Sequence, residues 1–114
     1  MLGCLFCKIV QKQIPAKIVF EDDRVLAFED VTPQAPVHIL IIPKEHIPTV
    51  NDIAGDQEEI IKYMFKAAKN IAKSKNIASQ GYRLVINTNA EAGQSVFHLH
   101  LHLLGGRHMN WPPG

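Results

Sequence analysis

Residues 97–106 read FHLHLHLLGG. Histidine and leucine alternate along it, His98, His100 and His102 against Leu99, Leu101 and Leu103. Strict alternation is the period of a β-strand, whose side chains point to opposite faces in turn. The stretch therefore predicts a last strand over 95–104 (SVFHLHLHLL), ended by Gly105 and Gly106. Its leucines would pack under a helix while its imidazoles share the other face, roughly 6.6 Å apart along the backbone. A histidine-rich solvent face is the ordinary alternative. Three histidines in register, preceded by a Gly-Gln-Ser turn and followed by Gly-Gly-Arg, favour a functional site.

Two chemistries suit such a face. His-x-His on a strand is a good zinc pair, and a third nitrogen would complete a catalytic metal site. Imidazoles also bind phosphoryl oxygens, and one can attack phosphorus as a nucleophile. The preceding turn favours phosphate. Gly93 allows close backbone approach, the N–H groups of Gly93, Gln94, Ser95 and Val96 can form an anion nest, and Ser95 adds a hydroxyl three residues before His98.

Working outward, 82–87 (YRLVIN) predicts another strand, joined to the last by the loop TNAEAGQ. The 56–75 stretch predicts the one long helix. Ile60, Ile61, Met64, Phe65, Ala68, Ile71 and Ala72 recur at helical spacing, with acidic residues at its start and lysines toward its end. Those lysines read as a solvated face, with a nucleic-acid surface a distant second. Residues 38–42 (HILII) predict a central strand stopped by Pro43, and TPQAPVH a loop. Strands over 17–20 and 24–29 are joined across EDD. Residues 4–12 predict a short helix or turn, with Leu5, Phe6, Ile9 and Val10 inward. The expected fold is α+β, an antiparallel sheet of about five strands with one long and one short helix. The pairing order does not follow from the sequence.

The chain has 114 residues, 46% of them hydrophobic, which fits one domain over 1–114 with a real core. Its net charge of +1 lacks the basic stripe of a nucleic-acid binder. No signal peptide is visible in MLGCLFCKIV, and the aliphatic run Ile39–Ile42 is far too short to span a bilayer. The expectation is a cytoplasmic protein with neither nucleic-acid nor membrane partners. Cys4 and Cys7 lie three apart, which in a reducing compartment points to metal or redox chemistry before a disulfide; two packed thiols are the alternative.

The run His98-Leu-His100-Leu-His102-Leu-Leu resembles the histidine triad motif. Around it, GQSVFHLHLHLLGGRHMNWPPG is similar to the Hint branch of that superfamily, and the similarity continues upstream through IPAKIVFEDDRVLAFEDVTPQAPVHILIIPKEHI. The resemblance implies a nucleotide hydrolase of the purine nucleoside phosphoramidase kind, cleaving the P–N bond of AMP or GMP amidates. His100 would be the nucleophile and His102 a phosphate ligand. Ser95 would help protonate the departing amine, and His38 would be the fourth histidine of the site. His38 could equally be a core histidine opening a strand.

The resemblance also makes Asp30 the ribose ligand, where a carboxylate suits two vicinal hydroxyl donors. Its plain alternative is a turn aspartate. Asn87 matches a phosphate- or ribose-contacting amide. Phe6, Ile9, Phe28 and Val31 fit a slot for the base, though each would also be ordinary core. The Cys-x-x-Cys pair resembles bacterial relatives in which Cys4, Cys7, His46 and His98 hold a structural zinc, leaving the chemistry itself without a cofactor. A homodimer with joined sheets is implied, with Trp111 of the tail packed on a surface. Rival readings are a nucleotide-binding adaptor with weak catalysis, a dinucleoside polyphosphate hydrolase or nucleotidyl transferase, and a zinc hydrolase using His98, His100 and His102. EDTA would abolish activity promptly only in the last of these.

Overall fold

The alternating and helical patterns become seven elements in a computed structural model that describes residues 3–114. They are α1 (Leu5–Val10), β1 (Ile18–Glu21), β2 (Val25–Glu29), β3 (Val37–Pro43), α2 (Glu59–Ser74), β4 (Tyr82–Val85) and β5 (Leu101–Gly105). The strands form one sheet in the order β1-β2-β3-β5-β4, every pair antiparallel. No helix among the described residues is long and apolar enough to cross a membrane.

Alternation divides the sheet into two cores. Val25, Ala27, Ile39, Ile41, Leu101 and Leu103 point to one face and pack with Leu99 against Met64, Ala68, Ile71 and Ala72 of α2. Leu26, Phe28, Leu40 and Ile42 point to the other, where Phe6 and Ile9 of α1 cover them. His38 and His102 lie on this second face. Leu40 pairs with His102 and His38 with Leu104, so the two imidazoles are diagonal neighbours across the β3–β5 ladder.

Helix α2 ends in a Schellman motif: the Ile77 N–H donates to the Ala72 carbonyl and the Asn76 N–H to that of Lys73. Asn76 takes the left-handed conformation there, and Ile77 is buried behind it. The expected helix start at 56 is instead a 3₁₀ turn, Gly55–Glu58, tightened by the Gln57 amide oxygen accepting the Ala54 N–H.

Several expectations are corrected. Residues 95–100 are not strand. The β4 ladder stops at Val85 opposite His102, and Leu99 gives its N–H to the Ile47 carbonyl at 2.7 Å instead. The inward leucines nonetheless keep their alternation. Pro43 is the last residue of β3, paired with Val25, and does not stop the strand before it. The strand predicted over 82–87 ends at Val85, so Asn87 lies beyond it. Leu5 and Phe65 are 48% and 43% exposed, because each sits beside its helix's buried stripe; Cys7 and Ala67 fill the inward positions. Trp111 is 82% exposed, so the packing expected of it is not made among the described residues. The tail carrying it is tied to β4 by Arg83, whose guanidinium donates to the Asn110 carbonyl.

Candidate active site and metal centre

His98 has no exposed surface. Its Nε2 lies 2.8 Å from the Pro43 carbonyl, which can only accept, so the proton sits on Nε2 and Nδ1 carries a lone pair. That lone pair faces Cys4 Sγ at 3.3 Å, Cys7 Sγ at 3.6 Å and His46 Nδ1 at 3.3 Å, and Cys7 Sγ is 3.3 Å from His46 Nδ1. All four donor atoms lie within 4.8 Å of one another. A tetrahedral zinc with bonds of about 2.0–2.3 Å has ligand–ligand edges of roughly 3.3–3.7 Å. The donor set and its spacing therefore fit zinc. Burial pushes the His98 pKa down to about 4, only partly opposed by the Pro43 carbonyl, so the ring is neutral at Nδ1. Burial, with the neighbouring Cys4 sulfur, pushes the Cys7 thiol up. A thiol in that position gives up its proton when it meets a cation.

His100 is 7% exposed. Its Nδ1 lies 2.8 Å from the His98 carbonyl, so Nδ1–H donates there and Nε2 holds the free lone pair. The peptide link between the metal-type ligand and the next histidine is thus also a hydrogen-bonded one.

His102 has the opposite tautomer. The Gln34 backbone N–H donates to His38 Nδ1 at 3.0 Å, which leaves the His38 proton on Nε2. That proton is given to His102 Nδ1 at 2.9 Å, leaving His102 with an N–H at Nε2. Burial lowers the His102 pKa to about 4, helped by His100 and His38 and opposed by Asp30; burial likewise lowers that of His38. Both rings are neutral near pH 7. Asp30 Oδ2 stands 3.5 Å from His38 Nε2, and its Oδ1 accepts the Thr32 N–H at 2.8 Å. Asp30, His38 and His102 are close enough to be taken for a metal trio. The Gln34 donor argues otherwise, since it holds a proton where a metal would need a lone pair. Arg107 braces this arrangement, its Nε–H donating to the Gln34 carbonyl and its Nη1 to that of His108.

The predicted residues thus divide. His38, Asp30, His100 and His102 meet on one face, and Cys4, Cys7, His46 and His98 meet beside it. Ser95 is exposed, beside Cys4, Leu5, Val96 and Phe97 in a cleft of about 270 Å³. The expected nest is narrower than the sequence implies. Gly93, in the left-handed conformation, gives its N–H to Ala90 and Gln94 gives its own to Asn89, so Ser95 and Val96 are the donors that remain. The buried Gln94 side chain braces the turn, donating to the Pro48 and Val96 carbonyls and accepting the Asn89 N–H. Phe6, Ile9 and Phe28 form one apolar cluster with Val96 against it. Val31 does not join them; it is 96% exposed, where the chain turns away after β2. Asn87 is half-buried.

Comparison with known proteins decides the family. The HIT domain model matches residues 11–109. The chain belongs to the HIT domain family. It is 52% identical over 103 residues to the purine nucleoside phosphoramidase of Escherichia coli K12, across 90% of this chain and 87% of that protein. Among solved structures, the HIT family hydrolase of Legionella pneumophila superposes with a TM-score of 0.96 at 55% identity, covering 98% of this chain and 100% of the other. A histidine triad protein of Clostridium difficile gives a TM-score of 0.94 at 41% identity, covering 96% of each chain. This HIT protein has the five-stranded antiparallel sheet and single long helix that the alternating stretch leads one to expect. The Gln34 and Pro43 backbone partners were invisible in the sequence, because no side-chain pattern marks a carbonyl or an N–H as an acceptor or donor for a distant ring.

Proposed function

We propose that the protein hydrolyses the P–N bond of purine nucleoside 5′-phosphoramidates. The observation that carries this is the opposed pair of tautomers, a lone pair at His100 Nε2 beside an N–H at His102 Nε2. An attacking imidazole needs the first, and a phosphoryl oxygen accumulating charge is stabilised by the second. His100 Nε2 attacks the α-phosphorus as the P–N bond breaks. The amine leaves with a proton from the Ser95 side of the site, and a nucleotidyl-His100 remains. Its positive ring is held through Nδ1–H by the His98 carbonyl. Water then attacks phosphorus and returns one proton to the Ser95 side of the site, the bond to Nε2 breaks, and nucleoside monophosphate is released. Asp30 is proposed to take the ribose hydroxyls, with Phe6, Ile9 and Phe28 beside the base and Asn87 near the sugar or phosphate. The identity to a named purine nucleoside phosphoramidase supports the substrate class.

Zinc held by Cys4, Cys7, His46 and His98 would be structural, since four protein ligands leave no open position for water. Two free thiols in a ligating arrangement accord with a reducing, cytoplasmic setting. A homodimer built by joining sheets would use β4, a terminal strand of the sheet.

The test is AMP release from adenosine 5′-phosphoramidate by the wild type, beside His100→Ala and His100→Gly. Release abolished in both variants supports nucleophilic attack by His100. No release by a wild type that still binds AMP tightly would refute the phosphoramidase reading in favour of an adaptor or another HIT substrate. Activity surviving in both variants would remove His100 from the role.

A further inference from the structure

The segment between β2 and β3 carries the donor that sets the histidine relay. Its residues 31–36 form neither strand nor helix. Their hydrogen bonds close on themselves within 30–38. The Thr32 N–H donates to Asp30 Oδ1, the Gln34 side-chain amide to the Thr32 carbonyl, and the Gln34 N–H to His38 Nδ1. Bonds inside a loop shape it but do not fix where it stands against the sheet. Among the described residues, one hydrogen bond reaches it from elsewhere. Arg107, 73 residues further along the chain, donates from Nε to the Gln34 carbonyl at 2.9 Å.

The sequence places Arg107 there through the glycine before it. Gly106 turns the chain after β5 with φ +90°, close against Pro36 of the same loop. The guanidinium then has two acceptors, Gln34 through Nε and His108 through Nη1 at 3.0 Å. Two bonds to one rigid plane fix its direction as well as its position. Gln34 is thus held on both sides of its Cα, its carbonyl by Arg107 and its N–H by His38.

The N–H matters because the relay has only two settings. With the Gln34 N–H on His38 Nδ1, both His38 and His102 carry their protons on Nε2, and His102 offers a donor to phosphate. If the loop drifts and that bond is lost, His38 can take its proton on Nδ1. His102 must then keep a proton on its own Nδ1 to bond His38 Nε2. Its Nε2 becomes a lone pair that repels a phosphoryl oxygen. On the reading of His102 as the donor to phosphate, we propose that Arg107 is a positioning residue for the reaction, locking the His38–His102 tautomers by pinning the Gln34 backbone.

The test compares Arg107→Ala and Arg107→Lys with Lys62→Ala, which removes an exposed cation paired with Glu59 on α2. The measurements are kcat and KM with adenosine 5′-phosphoramidate, the Kd of AMP, and the ring ¹⁵N shifts of His38 and His102. Outright loss of a transition-state donor costs about 10²–10³-fold in kcat. Loosening one should lower kcat about tenfold in Arg107→Ala, with KM and the AMP Kd moving less than about threefold. The His38 and His102 shifts should move from defined Nε2–H tautomers toward an average. Arg107→Lys should fall between wild type and Arg107→Ala, since an ammonium lacks the planar fork that serves both carbonyls. Lys62→Ala should match wild type throughout. Unmoved ring nitrogens in Arg107→Ala would overturn the proposal and leave Arg107 a surface brace. Weakened AMP binding with kcat preserved would overturn it too, making Arg107 a binding residue. Arg107 is exposed, so truncation opens no core cavity. Should Arg107→Ala fail to fold nonetheless, the ring nitrogens of Arg107→Lys decide alone, shifted ones supporting the proposal and unmoved ones refuting it. If the wild type hydrolyses no amidate, the phosphoramidase reading fails by itself, and the ring nitrogens still decide whether Arg107 sets the tautomers.

Discussion

Gly106→Ala strikes the histidine relay from a distance. Gly106 has φ +90°, and a Cβ built there would stand 2.9 Å from Pro36 Cβ and 3.3 Å from its Cγ. Two costs combine. The left-handed backbone costs an L-residue about 1–2 kcal/mol. Wedging a methyl group against a proline ring, which cannot swing aside, adds about 1–2 kcal/mol. The expected loss is about 2–4 kcal/mol, or roughly 8–15 °C in Tm for a domain of this size. Pro36 lies between Gln34, which fixes the His38 tautomer, and His38 itself, so the wedge should also lower kcat. Two other glycines separate the causes. Gly81 has φ +115° and open space around it, so Gly81→Ala incurs the backbone cost alone. Gly105 lacks the positive φ, and its added Cβ would stand 2.5 Å from Ile77 Cδ1 and 3.3 Å from Ile77 Cβ, so Gly105→Ala incurs a steric cost without the backbone one. Urea denaturation of the three variants, with amidate kinetics on each, should give Gly106→Ala the largest loss and make it the one that slows turnover. Equal losses in Gly106→Ala and Gly81→Ala, with kcat unchanged in both, would refute the wedge and its link to His38.

Acid should destabilise the site in a defined window. The folded His102 pKa of about 4 lies below the ordinary value of 6.5, so the unfolded chain binds more protons between those pH values. Stability is held above 6.5 and falls as pH drops toward 4. Urea midpoints measured across that window should fall less steeply in His102→Gln than in wild type. Metal analysis of the purified protein should find about one zinc per chain, lost in Cys7→Ser, with a lower Tm after chelation. Activity should persist in chelated protein that remains folded. Gln94→Ala strips a buried brace of three hydrogen bonds and should cost about 2–3 kcal/mol in urea unfolding. It should also slow amidate turnover by loosening the Ser95–Val96 donors; a full-rate variant would separate that turn from the chemistry.

Much of this was legible because it is periodic. The alternation at 98–103 sorted imidazoles from leucines, and that division survives where the ladder itself ends at Leu101. The helical stripe from Ile60 to Ala72 located α2, and its failure at Phe65 is an error of one position at the stripe's edge. Period carries no information about which distant segment supplies a partner. Cys4 and His98 are 94 residues apart, and His38 and His102 are 64 apart. The resemblance pointed to these side chains as companions, but not to their tautomers.

From its own letters, then, the sequence determined the face each side chain would take, since that follows from the local geometry of strand and helix. Only the tertiary structure decided which nitrogen of each histidine keeps its proton. That choice belongs to the Pro43 and His98 carbonyls and the Gln34 N–H, groups that every residue or nearly every residue carries. They acquire a role only when the folded chain brings one of them within 3 Å of a ring.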